Sequence, residues 1–489
     1  MQSSISFILD GRLTSLDFKD SSGLKPTTTV LNYLRSLPTH KGVKEGCAEG
    51  DCGACTVVLA ELGAENTLQY KAVDSCLVFL PMIHGKQLVT VENLQTRSGE
   101  LHPVQSAMVE TNGSQCGYCT PGFIMSLFAL YKNHDHPSRQ QIDDALTGNL
   151  CRCTGYKPIV EAAAAACIQD GIDHFSGEEI RVIKLLQSIP RTSITLETQK
   201  QRYVLPSTIS EALLLKDQHP DAIVVCGATD VALRVTKNHE LLHEIIDLSR
   251  IDELMQMAED DSSLRIGAGV SLSTLMANAE HEFPALYKML AVFGSEQIRN
   301  LATLGGNIAT ASPIGDTLPV LIAYEARVVL ESINGRRELA LGDFFTGYRQ
   351  TKQRTNELIT SIIIPKCTNG ALVKSYKISK RKDLDISTVS AAFRLELNGG
   401  VIVENVTLAY GGMAERVKRA DAAEQFLIGK KWERETVEQA MTLIDRAFTP
   451  ISDARGGAQM RTIAARNLLL KFWNETVQEK QKRSNGVLE

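Results

Sequence analysis

Residues 47–59 read CAEGDCGACTVVL, and the first nine of them include three cysteines, Cys47, Cys52 and Cys55. Their spacing is C-x4-C-x2-C, and three glycines lie within residues 46–53. Glycines let the backbone curl closely around a bound group, so that amide N–H groups can donate to it. The segment therefore predicts a metal–sulfur site that is wrapped by main chain.

A fourth cysteine, Cys76, stands just before the apolar run Leu77–Leu80. Thr56–Ala60, directly after the cysteine loop, has the pattern of a buried strand. Three thiolates on one loop and a distant fourth are the plant-type [2Fe–2S] arrangement, whereas zinc usually takes two C-x2-C elements. We expect a [2Fe–2S] cluster on Cys47, Cys52, Cys55 and Cys76.

A second set of cysteines follows the pattern C-x2-C…C-x-C. Thr120 and Pro121 suit the N-cap and the first position of an apolar helix, whose positive end favours an anionic cluster. On spacing alone, zinc remains an alternative here, although the neighbouring ferredoxin-type spacing favours a second iron–sulfur cluster. Two adjacent clusters predict a protein that moves electrons. The four cysteines of this set are Cys116, Cys119, Cys151 and Cys153.

Composition limits the other possibilities. A chain of 489 residues predicts three or four domains, and a net charge of −5 does not favour nucleic acid or an anionic membrane as partner. No apolar run approaches the ~20 residues that span a bilayer, and Met1–Asp10 alternates like a strand rather than a signal peptide. Thiols in ligand spacing predict a reducing, cytoplasmic location. We expect the spare cysteines to be ordinary buried residues: Cys167, Cys226 and Cys367.

The pattern along the chain divides it into segments. Residues 1–90 are predicted to be α+β, with a first hairpin turn at Asp10-Gly11, and residues 91–168 to be helical. Residues 169–200 are predicted to be a linker with a short helix at Ile180–Leu186. From residue 201, strands alternate with helices. For the last segment we expect strands at Thr388–Leu397 and Val401–Tyr410, and helices at Ala420–Leu427, Glu435–Ala447 and Met460–Glu475.

Two glycine-containing loops lie in the alternating part, at Val225–Val231 and at Thr303–Asp316. Loops of this kind expose successive amides that can bind a pyrophosphate, although ordinary turns remain an alternative. Neither loop fits G-x-G-x-x-G or the P-loop pattern. We expect the basic residues Arg234 and Lys237, and the segment Met460–Arg466, to form solvated faces rather than binding patches.

Four segments in this order carry a resemblance that covers residue 1 to about residue 475. The chain resembles the small iron–sulfur/FAD subunits of bacterial two-subunit xanthine dehydrogenases, within the molybdenum hydroxylase family. The segments are CAEGDCGACTVVL at 47–59, QCGYCTPGF at 115–123, LTGNLCRCTGY at 146–156 and SEQIRNLATLGGNIATASPIGD at 295–316.

The resemblance implies a multidomain α+β fold. Its expected parts are a β-grasp [2Fe–2S] ferredoxin domain at 1–90, a four-helix [2Fe–2S] domain at 91–168, a linker at 169–200, a PCMH-type FAD-binding domain at 201–372 and a C-terminal α+β flavoprotein domain, like that of CO dehydrogenase, at 373–480.

The resemblance also implies an FAD site. Many relatives have Gly-Gly-Thr-Asp where this chain has Gly227-Ala228-Thr229-Asp230, and the methyl group of Ala228 is tolerated if that residue has a negative φ. The expected FAD-binding residues are Val225, Cys226, Gly227, Ala228, Thr229, Asp230, Val231, Phe293, Thr303, Gly305, Gly306, Asn307, Asp316, Ile359 and Lys377.

By the same resemblance, electrons leave a molybdenum cofactor on a separate large subunit, cross the two clusters to FAD, and reach NAD⁺. Lys380–Asp383 is similar to the charged loop where NAD approaches the flavin. No general acid or base is expected in this chain, and the expected assembly is a dimer of heterodimers acting in purine catabolism. Two alternatives stay open: an aldehyde or N-heterocycle dehydrogenase with another electron acceptor, and an iron–sulfur scaffold or redox sensor without turnover.

Overall fold

The computed structural model describes residues 3–19, 23–63, 66–168, 173–367 and 370–484. The chain forms two compact units, one of Met1–Asp252 with Gly294–Thr303 and one of Glu253–Phe293 with Leu304–Glu489. Within the described ranges, no helix has the length and apolar character that crossing a bilayer requires. The predicted multidomain α+β fold is confirmed.

The first unit begins with a five-stranded sheet and one helix, the predicted β-grasp arrangement. The strand order is β2-β1-β5-β3-β4, and β1 and β5 are parallel. Asp10 and Gly11 have φ values of 52° and 68°, so the first hairpin closes with two left-handed residues, as the sequence predicts. The elements are β1 (Ser4–Leu9), β2 (Arg12–Asp17), α1 (Val30–Ser36), β3 (Thr56–Leu62), β4 (Leu68–Asp74) and β5 (Gln87–Val89).

Four helices follow, as predicted, and share a core that includes Phe123 and Phe128. One detail of the second cysteine set differs from the prediction: Cys119, not Thr120, is at the N-cap position, and its side chain makes no capping hydrogen bond. Pro121 lies in the first turn, where no amide partner is lost. The helices are α2 (Pro103–Glu110), α3 (Thr120–Asn133), α4 (Arg139–Leu146) and α5 (Lys157–Ala166).

The segment predicted as a linker contains a longer helix than expected, α6 (His174–Gln187). The predicted short helix forms its C-terminal half, where Val182 and Leu186 are buried in a cluster with Ile8. Asp173 caps α6 and accepts from Ser176 N at 2.9 Å. Residues 169–172 of the predicted linker lie outside the described residues.

The part predicted to bind FAD contributes to both compact units. In the first unit it forms a four-stranded sheet of order β6-β7-β9-β8, in which β9 pairs in parallel with both β7 and β8. This sheet and its helices comprise β6 (Ile194–Glu197), β7 (Arg202–Leu205), α7 (Ile209–Gln218), β8 (Ile223–Val225), α8 (Val231–Thr236) and β9 (Glu244–Asp247).

In the second unit the same part forms a five-stranded antiparallel sheet of order β10-β11-β16-β12-β13. The strands β14 and β15 form a separate pair, and one helix of this stretch, α11, belongs to the first unit. In chain order the elements are β10 (Met257–Glu259), β11 (Ser263–Gly267), α9 (Leu272–Ala279), α10 (Pro284–Leu290), α11 (Glu296–Arg299), α12 (Leu304–Ala309), α13 (Thr317–Ala323), β12 (Arg327–Ser332), β13 (Gly335–Ala340), α14 (Leu341–Phe344), β14 (Phe345–Gly347), β15 (Gln350–Thr351) and β16 (Leu358–Pro365).

The C-terminal part is an antiparallel sheet of order β17-β18-β19-β20 whose core contains Phe393, Tyr410 and Phe472. The two long predicted strands lie within one residue of their observed positions, and the last helix is longer than predicted. The elements are β17 (Leu372–Ile378), β18 (Val389–Asn398), β19 (Ile402–Gly411), β20 (Lys418–Arg419), α15 (Asp421–Leu427), α16 (Arg434–Ala447) and α17 (Ala458–Ser484).

Arg461, near the start of α17, corrects the expectation that this face is solvated. Its side chain is 2% exposed. The guanidinium donates to the carbonyl oxygens of Thr388 and Gly412 and pairs with Asp453 at 2.8 Å. A planar donor of this kind can satisfy several backbone carbonyls at once, so Arg461 ties α17 to the ends of β18 and β19.

We expect Arg461→Met to lower the free energy of unfolding by about 2–4 kcal/mol, because it leaves buried carbonyls without donors. Arg434→Met is the matched control, since Arg434 forms an exposed pair with Glu438 four residues on. Its effect should stay below about 0.5 kcal/mol. Urea unfolding of both variants measures the difference, and equal midpoints would show that the buried contacts of Arg461 carry no stability.

Candidate functional site

The first cysteine set lies on the loop before β3 and on the 3-10 helix Ser75–Leu77 that follows β4. Its thiols shift each other's pKa in two pairs, Cys47 with Cys52 and Cys55 with Cys76, and Cys55 Sγ also donates to Asp74 Oδ1 at 3.7 Å. The second pair is buried and the first is half-buried. Cys55 and Cys76 are far apart in the sequence, but the hairpin of β3 and β4 brings them together, because it pairs Thr56 with Asp74.

Main-chain amides of the loop point at one of these sulfurs. The N–H groups of Glu49 and Asp51 donate to Cys47 Sγ at 3.4 and 3.3 Å. The bond from the Cys52 thiol and these amides lower the pKa of Cys47 to about 5, against the effect of burial. A Cβ on Gly46 would lie 2.7 Å from Cys52 Sγ. The loop therefore stabilises a thiolate and leaves no room for a side chain beside it.

The second cysteine set also forms two pairs, Cys116 with Cys153 and Cys119 with Cys151. Burial and the bond to Cys151 raise the pKa of Cys119 to about 12. The Cys151 sulfur accepts from the amide of Cys153 at 3.4 Å and lies 3.2 Å from the hydroxyl of Thr154. The pair of Cys116 and Cys153 is exposed.

The pairing of the thiols bears on the kind of metal centre. In the described ranges, no group of three or more His, Cys, Asp or Glu side chains surrounds a point that could hold a single metal ion. Zinc in a structural site needs four ligands around one ion, whereas a [2Fe–2S] cluster needs two thiolates for each of two irons. At the second set, spacing alone leaves zinc and a two-iron cluster as alternatives.

Lys237 is exposed, as expected, but it also contacts the first cysteine loop. It follows α8, donates to the carbonyl of Cys47 at 3.2 Å, and pairs with Glu49 at 3.2 Å. Arg234, on the same helix, pairs with Glu240 instead. Lys237 therefore braces the first cysteine loop, a role that no local pattern signals because the partners are 190 residues apart.

The first glycine loop runs from β8 into α8 and makes a close main-chain contact. A Cβ on Gly227 would lie 1.8 Å from the carbonyl oxygen of Leu301. Ala228 has a φ of 57°, so the condition of a negative φ is not met, and this residue occupies the left-handed region that favours glycine. Burial raises the pKa of Cys226, so its thiol stays protonated. The remaining expected residues here, Val225, Thr229, Asp230 and Val231, belong to the same strand–loop–helix segment.

The second glycine loop is split between the units, with Thr303 in the first and Gly305–Asn307, on α12, in the second. A Cβ on Gly305 would lie 2.6 Å from that of Ala268. The side-chain carbonyl of Asn307 accepts from the Thr317 hydroxyl at 2.6 Å. As at Gly227, glycine is required here by a neighbouring main chain.

Asp316 and Lys377 form a buried ion pair of 2.9 Å in the second unit. Ser387 donates to the other oxygen of Asp316 at 2.5 Å, and Lys377 also donates to the carbonyl of Val292 at 2.9 Å. Two further residues of this unit are expected to contact FAD outside the glycine loops. Ile359 is buried on β16, and Phe293 is half-buried. The structure thus brings together two of the expected FAD contacts through a direct charge pair that the sequence did not reveal.

A cavity of about 460 Å³ opens beside Lys377 in the second unit. Half of its ten lining residues are basic, and they include the segment that was expected to face NAD. Such a lining fits an anionic ligand such as a diphosphate. The basic residues are Lys288, Lys377, Lys380, Arg381 and Lys382.

Three family models match the chain in succession. A [2Fe–2S] binding domain matches residues 90–164, an FAD binding domain in molybdopterin dehydrogenase matches residues 197–367, and a CO dehydrogenase flavoprotein C-terminal domain matches residues 374–476.

Full-length relatives are similar over nearly the whole chain. Xanthine dehydrogenase of Emericella nidulans is 32% identical over 99% of this chain and 39% of its own length. Xanthine dehydrogenase/oxidase of Mus musculus is 31% identical over 93% of this chain and 38% of its own length. The chain thus spans about two fifths of the length of these curated relatives.

Solved structures are similar over about half of the chain. A carbon monoxide dehydrogenase chain from Hydrogenophaga pseudoflava, which lacks the Mo-pyranopterin moiety of its cofactor, has a TM-score of 0.52 and 30% identity over 55% of this chain and 93% of that one. Quinoline 2-oxidoreductase from Pseudomonas putida 86 has a TM-score of 0.51 and 25% identity over 56% and 96%. The chain belongs to the molybdenum hydroxylase family, of which it carries the iron–sulfur and FAD-binding domains.

We expect Gly227→Ala to destabilise the chain by about 2–3 kcal/mol and to lower its flavin content, because the new methyl would overlap the Leu301 carbonyl. Gly177→Ala is the control, for which we expect the free energy of unfolding to change in the opposite direction. Gly177 lies in α6 with open space around it, so alanine there should stabilise by about 0.5–1 kcal/mol. Thermal unfolding and flavin absorbance measure both effects, and full flavin content in Gly227→Ala would contradict the tight fit.

Proposed function

We propose that this chain is the electron-transfer subunit of an NAD⁺-dependent xanthine dehydrogenase that acts in purine catabolism. Its electrons come from a molybdenum cofactor on a larger partner chain and pass through two [2Fe–2S] clusters to FAD and then NAD⁺. The observation that carries the proposal is the presence of two cysteine sets in iron–sulfur spacing, followed along the chain by a match to an FAD-binding domain. A single two-iron cluster has many uses, but two adjacent clusters beside an FAD-binding domain form a chain of electron carriers.

Each cluster would be held by two thiol pairs, one pair for each iron. The first cluster takes the pairs Cys47–Cys52 and Cys55–Cys76, and the second takes Cys116–Cys153 and Cys119–Cys151. The amides that reach Cys47 and Cys151 stabilise the anionic state that binds iron. The proposed location is cytoplasmic, because thiols in metal-ligand spacing fit a reducing compartment.

FAD would be held by the two glycine loops and by the pair of Asp316 and Lys377. When bound, FAD accepts electrons singly from clusters and donates them in pairs to a nicotinamide. The protein binds and orients the cofactor, with Asp316 fixed by Ser387 and Lys377. We assign no general acid or base to this chain. Two single electrons and one proton would have to reach bound FAD before it gives a hydride to NAD⁺, and no side chain is assigned to that proton.

The partner would be a molybdopterin-binding subunit, in a dimer of heterodimers. Its presence is supported by the likeness to chains of carbon monoxide dehydrogenase and quinoline 2-oxidoreductase. The name of one similar structure mentions the molybdenum cofactor of that protein. The substrate would be chosen by the partner chain.

The likeness to quinoline 2-oxidoreductase favours a second candidate, an N-heterocycle or aldehyde dehydrogenase with an acceptor other than NAD⁺. The native complex, purified by a tag on this chain, separates the two. Xanthine should bleach the cluster absorbance and NAD⁺ should restore it. Bleaching by quinoline or an aldehyde but not by xanthine, or reoxidation by oxygen but not NAD⁺, would favour the second candidate.

We expect Cys76→Ser to remove two of the four irons per chain, because one thiolate pair of the first cluster is lost. The signal of the second cluster should persist. Cys167→Ser is the matched control, since Cys167 is also buried but lies outside both sets. It should keep all four irons. Iron analysis and electron paramagnetic resonance (EPR) measure both variants, and unchanged iron in Cys76→Ser would contradict the assignment.

We expect Lys382→Ala to raise the KM for NAD⁺ about three- to tenfold, roughly 1 kcal/mol, because it removes one positive charge from the basic cavity. Reduction of the enzyme by xanthine should keep its rate. The control is Lys431→Ala, an exposed lysine that does not line this cavity. An unchanged KM in Lys382→Ala would place NAD⁺ elsewhere.

A further inference from the structure

Asn149 is a buried amide in the segment between α4 and Cys151, and it is 2% exposed. Its carbonyl accepts from Ser126 Oγ at 2.6 Å and from Gln297 Nε2 at 3.1 Å. Its amino group donates to the carbonyl of Gly53 at 3.1 Å and to Thr56 Oγ1 at 3.2 Å. Both ends of the amide are therefore committed to hydrogen bonds inside the first unit.

The partners of Asn149 place it between the two cysteine sets. Gly53 stands between two cysteines of the first set and Thr56 follows directly after, whereas Asn149 lies two residues before Cys151 of the second set. The next residue, Leu150, donates its backbone N–H to the carbonyl of Cys52 at 3.0 Å. One hydrogen bond therefore separates the main chain of a cysteine in the first set from the residue that precedes Cys151.

The main chains around this bond are packed too closely for side chains. A Cβ on Gly53 would lie 2.3 Å from the carbonyl oxygen of Gly148, 2.9 Å from the Cα of Asn149 and 2.4 Å from its side-chain Nδ2. A Cβ on Gly122, three residues after Cys119, would lie 2.1 Å from the carbonyl oxygen of Gly53. The segments that carry Cys52, Cys119 and Cys151 thus meet at positions where no side chain larger than that of glycine fits. The side-chain amide of Asn149 connects two of these segments.

We propose that Asn149 is a positioning residue for electron transfer between the two clusters, because it holds the hydrogen bond from Leu150 N–H to the Cys52 carbonyl in place. This inference rests on the proposed function. In that transfer one electron would pass from the cluster of the second set, which would be oxidised, to the cluster of the first set, which would be reduced. No bond forms or breaks and no proton moves. Asn149 touches neither cluster and acts through the two segments that it joins.

The test compares Asn149→Ala with wild type in the full chain loaded with both clusters. The rate of electron transfer between clusters after pulse reduction should fall by about 10- to 100-fold, the range typical for loss of a partner outside the ligand shell. The mutual spin–spin splitting in the EPR spectrum of the fully reduced protein should shrink. Iron content and the potential of each cluster should stay near wild type. A purely structural role would instead leave rate and splitting unchanged in the loaded protein.

Asn133→Ala is the matched control. Asn133 is the last residue of α3, at the end away from Cys119, and its side-chain amide donates to the carbonyl of Tyr70 at 2.7 Å. The same substitution therefore removes one amide–carbonyl hydrogen bond away from the two cysteine sets. It should keep the wild-type rate and splitting. If the control lost them to the same extent as Asn149→Ala, the proposal would be wrong.

If Asn149→Ala binds fewer than four irons, a milder variant tests the positioning role of Asn149. Ser126→Ala removes one of the two donors to the Asn149 carbonyl without touching either cysteine loop. It should keep four irons and show a smaller loss of rate and splitting in the same direction. Wild-type rate and splitting in a fully loaded Ser126→Ala would then overturn the proposal. Failure of the proposed function looks different, since wild type itself would lack one cluster.

Discussion

The structure depends on main chain approaching main chain at positions where only glycine fits. Gly53 and Gly122 meet between the cysteine sets, and Gly227 lies against the Leu301 carbonyl. At each of these places a side chain would force the backbones apart by a distance that a protein interior cannot absorb. This packing has a functional consequence. Loops this close to one another present backbone amides, rather than side chains, to a bound cofactor.

The electrostatics of the sites follow from the same arrangement. The Cys52 thiol and the amides around Cys47 lower the pKa of Cys47 and so favour its ionised form. In the second unit, the buried pair of Asp316 and Lys377 is neutral as a unit and is oriented by Ser387. Buried charges that are paired and hydrogen-bonded in this way keep a fixed geometry, which suits a site that holds a cofactor in one orientation.

Local patterns predicted much of this molecule. The hairpin at Asp10-Gly11, the four helices and the long C-terminal strands follow from turn chemistry and periodicity, which act within a few residues. The resemblance supplied the family. What it could not supply were contacts across long separations: Lys237 with the Cys47 carbonyl, Asn149 with Gly53, and Arg461 with Thr388. Such contacts depend on tertiary packing, for which a single sequence carries no local signal.

The proposed electron path requires two [2Fe–2S] clusters and one FAD on this chain. The first measurement is a cofactor inventory of the isolated chain, with an EPR spectrum after reduction. We expect four irons, two for each cluster, with one FAD, no molybdenum and two distinct [2Fe–2S] signals. Two irons with zinc in the second cysteine set, or a chain without flavin, would contradict it.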